Sequence, residues 1–432
     1  MVDAVGVSLL GAGNVGGGVI TALAGARERH AGHVGRALEL RFALVRDANR
    51  DREGIPRDRL TTDIEAILSD PQTQIVVELM GGEQPAFDYI TRALTSGRHV
   101  VTANKEVMAK RGAELLSTAA AHGVRLLYEA SVGGGIPIIS PLSRDLLANE
   151  ITSVTAIING TTNYMLTAMS KQGADYSEVL AEAQRLGYAE PDPTADVDGI
   201  DAAYKLAILC GLAFHVEVLP EDVTRQGISR LTARDILYAS ELGYTIKLLA
   251  TGRLVDGELV ATVAPTLVAS GEPLAKVDGV LNAIQIEADL VGRVVFEGPG
   301  AGSAPTASAV LADVLDVARD LVAGRVERPE PARRRVRVRP PEEHRSRFYI
   351  RVTVADQAGV LARIAGALGE HEVSIASMIQ FEADADERTA ELVFTTHLAG
   401  GGALSTAIEQ IGSMDVVREV GAVLPMTGLG AR

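Results

Sequence analysis

The chain has 432 residues, too many for one ordinary hydrophobic core, so two or three domains are expected. Apolar residues make up 47% and aromatics 4%, a mix that suits α/β layers and argues against a disordered chain. The formal charge of −15 disfavours nucleic acid or an anionic membrane as partner, and the one cysteine excludes an intrachain disulfide and fits a reducing compartment.

The first 130 residues alternate short apolar runs, "VGVSLL", "LRFALV", "QIVVELM", "RHVVTA" and "VRLLYEA", with helical stretches such as "GAELLSTAAAHG". That rhythm predicts βαβ units and a parallel sheet covered on both faces, a Rossmann-type nucleotide-binding domain over 1–130. No basic and apolar leader precedes the first run and no apolar segment is long enough to span a bilayer, so a cytoplasmic chain is expected. From 131 to 302 the pattern changes to a strand turning through Asn-Gly into a helix, then strands of a mixed or antiparallel sheet, which predicts a second domain of α+β type. "GAGSAPTASAVLADVLDVARDLV" enters a long amphipathic helix over about 303–323, expected to pack back on the first domain. Residues 325–347 are rich in Arg and Pro and read as a solvated linker. After it, 348–425 run strand, helix, strand, strand, helix, strand, a compact βαββαβ module.

In "VSLLGAGNVGGGV", Gly11, Gly13 and Gly16 stand in G-x-G-x-x-G spacing directly after an apolar strand, with Asn14 and Val15 opening a helix. Gly11 permits the tight turn, Gly13 lets the backbone approach a pyrophosphate, and Gly16 brings helix close to strand. Dinucleotide binding is expected. The second strand ends in "ALVRDANRDR"; Arg46, with Arg50 and Arg52 near, points to the 2′-phosphate of NADP, while Asp47 leaves NAD possible.

"GYAEPDPTADVDGIDAAYK", Gly187 to Lys205, gathers five carboxylates beside one lysine. A calcium loop is excluded: with Gly199 as the required glycine, Thr194 falls at the first ligand position and Lys205 at the last. A helix starting near Asp198 places Asp198, Asp201 and Lys205 at i, i+3 and i+7, on one face, with Glu190 and Asp192 on a Pro-braced loop before it. Such a cluster offers acceptors for an ammonium group and hydroxyls beside one transferable proton, which suits hydride transfer to or from a small amino alcohol. A second lysine, Lys105 of "VTANKE", follows an apolar strand at the carboxyl end of the sheet, where open α/β folds place ligands. For either lysine the plainer alternative is a surface ion pair.

Taken together, "GAGNVG", "TANKE", "EASVGGGIPI", "NGTTNYML", "GYAEPDPTADVDGIDAAYK" and "GAGSAPTASAVLAD" resemble homoserine dehydrogenases in content and order, from the N-terminus to about residue 320. The terminal module, with "DQAGVLARIA" and "VSIASMIQ", resembles an ACT domain, a small amino-acid-sensing fold of ferredoxin-like type. The resemblance implies reversible NAD(P)-dependent conversion of L-aspartate 4-semialdehyde to L-homoserine, on the route to threonine, methionine and isoleucine. It implies Lys205 as acid/base, Lys105 between cofactor and substrate, Glu190 and Asp201 on the substrate's amine and hydroxyl, and Asp196 nearby. It places Asn159 and Thr161 in the substrate pocket, Gly187 and Gly302 close to the cofactor, and Na⁺ on the loop of Glu129, Val132, Gly134 and Ile136, mainly through backbone carbonyls. It implies that 131–302 is the substrate and dimerisation domain. It further implies threonine as effector at the ACT turn, Asp356, Gly359 and Val360, and a homodimer or homotetramer. One departure is Ala358, which stands where that turn usually has proline.

Two other readings compete. Aspartate-semialdehyde dehydrogenase chemistry needs a thiolate, and the one cysteine, Cys210, sits in the apolar "LAILCGLAF". A catalytically silent amino-acid and nucleotide sensor would have no need of every expected acid and lysine.

Overall fold

The structure, a computed structural model, describes residues 4–325, 333–384 and 388–427. Residues 326–332, part of the segment read as a linker, lie outside it. Contacts divide the chain into two compact units: Met1–Ile151 with Tyr204–Pro220 and Ile286–Arg335, and Thr152–Ala203 with Glu221–Gln285 and Val336–Arg432.

The chain opens with β1 (Ala4–Leu10), α1 (Asn14–Gly25), α2 (Arg27–Val34) and β2 (Ala37–Leu44). It continues through β3 (Leu60–Thr61), α3 (Ile64–Leu68), β4 (Thr73–Glu78), α4 (Ala86–Thr95), β5 (His99–Thr102), α5 (Lys105–Ala121) and β6 (Leu126–Leu127). These strands form one sheet in the order β3-β2-β1-β4-β5-β6, with every neighbouring pair parallel. Val5, Val7 and Leu9 of β1 and Ile75 and Val77 of β4 are fully buried, as a sheet covered on both faces requires. Strand order reverses between β1 and β4, so their carboxyl ends flank the crevice in which such sheets bind ligands.

Next come β7 (Ile151–Ile157), α6 (Gly160–Gln172), α7 (Tyr176–Arg185), α8 (Thr194–Val197), α9 (Ile200–Ala213) and α10 (Ala233–Glu241). Long strands follow, β8 (Tyr244–Val255), β9 (Glu258–Ala269), β10 (Leu281–Ala288) and β11 (Gly292–Pro299), and then α11 (Ser303–Ala323). α11 packs on α1 and α2, with Val310, Val314 and Val317 in the same core as β1.

The terminal module is β12 (Arg345–Ala355), α12 (Val360–Glu370), β13 (Ile375–Asp384), β14 (Thr389–Thr396), α13 (Gly401–Gly412) and β15 (Val417–Met426). Its strands lie in the order β15-β12-β14-β13 and continue the sheet β10-β7-β8-β9 through a parallel contact of Leu267 with Met426. The module therefore belongs to the second compact unit.

Two expectations are corrected. Asp198 does not lie on α9: α8 ends at Val197 and α9 begins at Ile200, with Gly199 between them at φ +74°. A Cβ at Gly199 would come within 2.8 Å of Val263 on β9, so close packing against that strand forces the break. The second half of the Arg/Pro-rich segment is not a solvated tether either. Leu259 N–H donates to Arg337 O (2.9 Å), Arg339 N–H donates to Leu259 O (2.8 Å), and Arg337 and Arg339 both pair with Glu258. Backbone bonds to β9 make it a strap.

The module is also held by a dry ionic cluster. Arg351 of β12 is 4% exposed and bonds Asp235 of α10 at 2.7 and 3.2 Å and Glu391 of β14 at 3.1 Å. Glu391 also accepts the Tyr238 hydroxyl at 2.5 Å. Asp235 additionally closes the capping box of α10 with Thr232. Removing one partner leaves a buried guanidinium undercompensated, so Asp235→Ala should cost about 3–5 kcal/mol in denaturant unfolding. A loss of only about 1 kcal/mol or less would mean that the cluster behaves like a solvated pair.

Candidate active site

β1 feeds the glycine loop directly into α1. Gly11 has φ +100°, and a Cβ there would come within 3.0 Å of Leu79 O. Gly16 is buried, and its Cβ would stand 2.6 Å from Gly11 O. At Gly13 a Cβ would meet nothing within 4 Å, so the space before the α1 amino terminus is open. Each glycine thus has the surroundings its expected role needs, and the loop fits a dinucleotide pyrophosphate. Asn14 is exposed and Val15 half-buried, and the Ser303 hydroxyl donates to Asn14 O at 2.8 Å. This pins the start of α11, after Gly302 at φ +123°, beside the loop. A crevice of about 920 Å³ is lined by Gly13, Asn14, Ser303 and Arg52. Arg46 stays exposed at the end of β2 and does not line that crevice.

At the strand-order reversal, Glu78 ends β4 and is fully buried. Burial pushes its carboxyl up, against donors that pull it down. Lys105 is the first residue of α5, whose cap is Asn104, with Asn104 Oδ1 accepting Val107 N–H at 3.1 Å. Farther along α5, the Lys110 ammonium lies over the ring of Tyr204, 5.6 Å from its centre. The two lysine-bearing helices α5 and α9 are thereby in contact one residue before Lys205.

The acid cluster forms around Asn159, the cap of α6. Its Oδ1 accepts Thr162 N–H at 2.9 Å, and its amide donates to Asp196 at 2.6 Å and Asp201 at 3.0 Å. Asp201 is 5% exposed, and Lys205 follows it by one turn of α9, on the same face. The Thr161 hydroxyl donates to Tyr188 O at 2.7 Å, tying α6 to the loop of Gly187 and Glu190. Glu190 is exposed, as are Asp192 and Asp198. The structure therefore brings Asn159, Asp196 and Asp201 together and leaves Asp198 aside.

On the loop read as the cation site, the Glu129 carboxylate accepts the N–H groups of Ile138, Ile139 and Ser140 at 2.6–2.8 Å. Capping a helical turn thus occupies most of that side chain's acceptor positions. Glu129 N–H donates to Asp313 on α11 at 2.9 Å. In the terminal module, Asp356, Gly359 and Val360 line a cavity of about 290 Å³ together with Gln380 and Leu392.

Cys210 is buried, and desolvation pushes its thiol up to about 12, so it supplies no thiolate. The thioester-forming alternative is thereby removed.

A parallel sheet with an open glycine cradle at its order reversal is the nucleotide-binding part of a nicotinamide-dependent oxidoreductase, and the chain ends in a βαββαβ module. Residues 11–129 match the family description "Homoserine dehydrogenase, NAD binding domain", 137–315 "Homoserine dehydrogenase", and 348–415 "ACT domain". A homoserine dehydrogenase of Synechocystis sp. is 43% identical over 430 residues, covering 97% of this chain and 98% of that protein. The crystal structure of a homoserine dehydrogenase from Thiobacillus denitrificans matches with a TM-score of 0.92 at 40% identity, covering 99% of each chain. A hyperthermophilic archaeal homoserine dehydrogenase in complex with NADPH matches with a TM-score of 0.61 at 28% identity, covering 73% of this chain and 97% of that one. The chain belongs to the homoserine dehydrogenase family.

Glu78, Asn104 and the capping role of Glu129 escape the sequence reading. A faint signal exists for the first two: a carboxylate ends an otherwise apolar strand, and an asparagine stands just before a helix.

Asp313 supplies a pH test. Burial holds its carboxyl well above the usual range. Its stabilising contribution is therefore complete below the unfolded pKa of about 4 and is lost as pH rises through the higher folded value. Asp313→Asn keeps an acceptor for Glu129 N–H and removes the titration. Its unfolding free energy relative to the parent should grow between pH of about 4.5 and about 8.5 in denaturant titrations. A difference independent of pH would mean that Asp313 is ionised throughout.

Proposed function

We propose that this chain interconverts L-aspartate 4-semialdehyde and L-homoserine, with Lys205 as the group that gives and takes the proton. The observation that carries this reading is the spacing on α9: Asp201, buried and held by Asn159, stands one turn from Lys205. Asp201 and Asp196 form a fixed anionic pair that suits the substrate's ammonium and hydroxyl groups, and Glu190 on the adjoining loop adds a further acceptor.

Gly11–Gly16 would hold a nicotinamide dinucleotide, which would supply the hydride for the aldehyde carbon or take it up in reverse. The forming alkoxide oxygen takes its proton from the Lys205 ammonium, so one hydride and one proton are added across the C=O bond. Lys105, at the start of α5, adds positive charge where oxygen becomes negative. Arg46 and Arg52 after β2, together with a structural relative solved with NADPH, support NADPH as the preferred donor, with NADH usable. A monovalent cation such as Na⁺ on the carbonyls around Val132–Ile136 would stiffen the loop before the helical turn capped by Glu129. Homodimeric or homotetrameric assembly in the cytoplasm, on the route to threonine, methionine and isoleucine, completes the reading.

Lys205→Ala should lower kcat by about 100-fold or more while the Kd for NADPH stays within about threefold, measured by initial rates and nucleotide fluorescence. An unchanged kcat would remove Lys205 from the chemistry, and the same assay run with NADH reads cofactor preference.

For regulation, threonine in the 290 Å³ cavity at the ACT turn is the reading we favour. Truncating the module would break the Arg351–Asp235 pair, so a point change is the cleaner probe. Asp356→Ala should weaken threonine inhibition about tenfold or more with kcat retained in its absence. Inhibition with an undiminished affinity would locate the effector elsewhere.

A further inference from the structure

Glu78 is a fully buried carboxylate at the junction of three segments of the nucleotide-binding unit. One oxygen accepts Met80 N–H at 2.7 Å, at the start of the loop through Gly81 and Gly82. The other accepts the Thr102 hydroxyl at 2.6 Å, at the end of β5. The Asn104 amide and Gly81 N–H also act on the carboxylate as donors. The Thr102 oxygen in turn accepts Asn104 N–H at 3.0 Å, and the Asn104 amide donates to Gly82 O at 2.7 Å. Asn104 caps α5, of which Lys105 is the first residue. The same short segment abuts the cofactor loop: Leu79 N–H donates to Leu10 O at 2.8 Å, and Leu79 O limits the space at Gly11.

We propose that Glu78 is a positioning residue for hydride transfer: by gathering these donors it locks the Met80–Gly82 loop to the first turn of α5 and so fixes Lys105 relative to the cofactor loop. The inference rests on the reading of Lys105 beside the nicotinamide. A carboxylate is required because it accepts at every lone pair, whereas an amide must turn an N–H₂ toward at least one donor. An apolar residue here would leave the Met80 N–H and the Thr102 hydroxyl without that acceptor, so the carboxylate is what holds the loop and β5 together.

The test uses the full chain. Glu78→Gln preserves volume and sets one amide N–H₂ against a donor, and Thr102→Val removes the linking hydroxyl with little change of shape. Each should lower kcat by about 10- to 100-fold, the scale of a catalytic group displaced by about 1 Å. The KM for homoserine and the Kd for NADPH should stay within about threefold, and the primary deuterium isotope effect on kcat should rise as hydride transfer becomes limiting. The double variant should be no worse than the weaker single one, because both break one link.

The inference is overturned by a kcat within about twofold of the parent, or by a loss of NADPH affinity that matches the fall in kcat. The second result would make Glu78 a support of the cofactor loop only. If Glu78→Gln does not fold, Thr102→Val decides by the same criteria. Lys105→Ala separates the two layers: a retained kcat refutes the role of Lys105 itself. A lost kcat with normal Glu78→Gln and Thr102→Val enzymes refutes only the positioning role.

Discussion

Two carboxylates, Asp196 and Asp201, are held by the single side-chain amide of Asn159, and the acid cluster depends on that arrangement. Side by side, two such groups repel, and desolvation of Asp201 adds to the cost. One neutral amide gives each a hydrogen bond, which offsets part of that cost. Because the Asn159 carbonyl also caps α6, the amide cannot rotate away without unravelling the first turn of that helix. The acids are therefore fixed by the fold itself.

Lys105 is fixed by a different device, the parallel sheet. Every strand points the same way, so loops from β1, β4 and β5 emerge on one edge and must pack against each other at backbone distance. Gly11 exists to let Leu79 approach, and the Glu78 carboxylate fills the space that remains between the β4 loop and α5. Position at this edge is therefore set by hydrogen bonds between loops distant in sequence, and small changes there can move Lys105 without loosening the core.

Much of this was legible in the sequence because it repeats at short range. The G-x-G-x-x-G loop, the α11 helix over 303–323, the βαββαβ order of the terminal module and the one-turn spacing of Asp201 and Lys205 all follow from local pattern. What was not legible depends on partners far along the chain. Asp198 reads as helical by spacing, but Gly199 must pack on Val263, sixty-four residues later by number, and the helix breaks there. The arginines of 333–339 look like a tether until β9 supplies backbone partners. Glu129 looks like a ligand, and only the fold reveals three N–H groups already on it.

Arg351 belongs to the same category, and it changes what the terminal module is. The arginine of "FYIRVTV" carries no local sign of burial, yet it is among the least exposed charges in the described residues. Its partner Asp235 stands on α10, which packs on α6 and β8. α6 begins at the cap that holds the acids. A change at the Asp356–Val360 turn, at the far end of the strand bearing Arg351, thus has a continuous path of packed elements to Asn159. Packing alone does not make such a path allosteric. The central link of this one is ionic and buried, so breaking the Arg351–Asp235 pair would leave an undercompensated charge at a cost of about 3–5 kcal/mol. A module on a solvated tether could move freely, whereas one that shares a sheet and a buried charge pair with α10 cannot shift without straining those contacts.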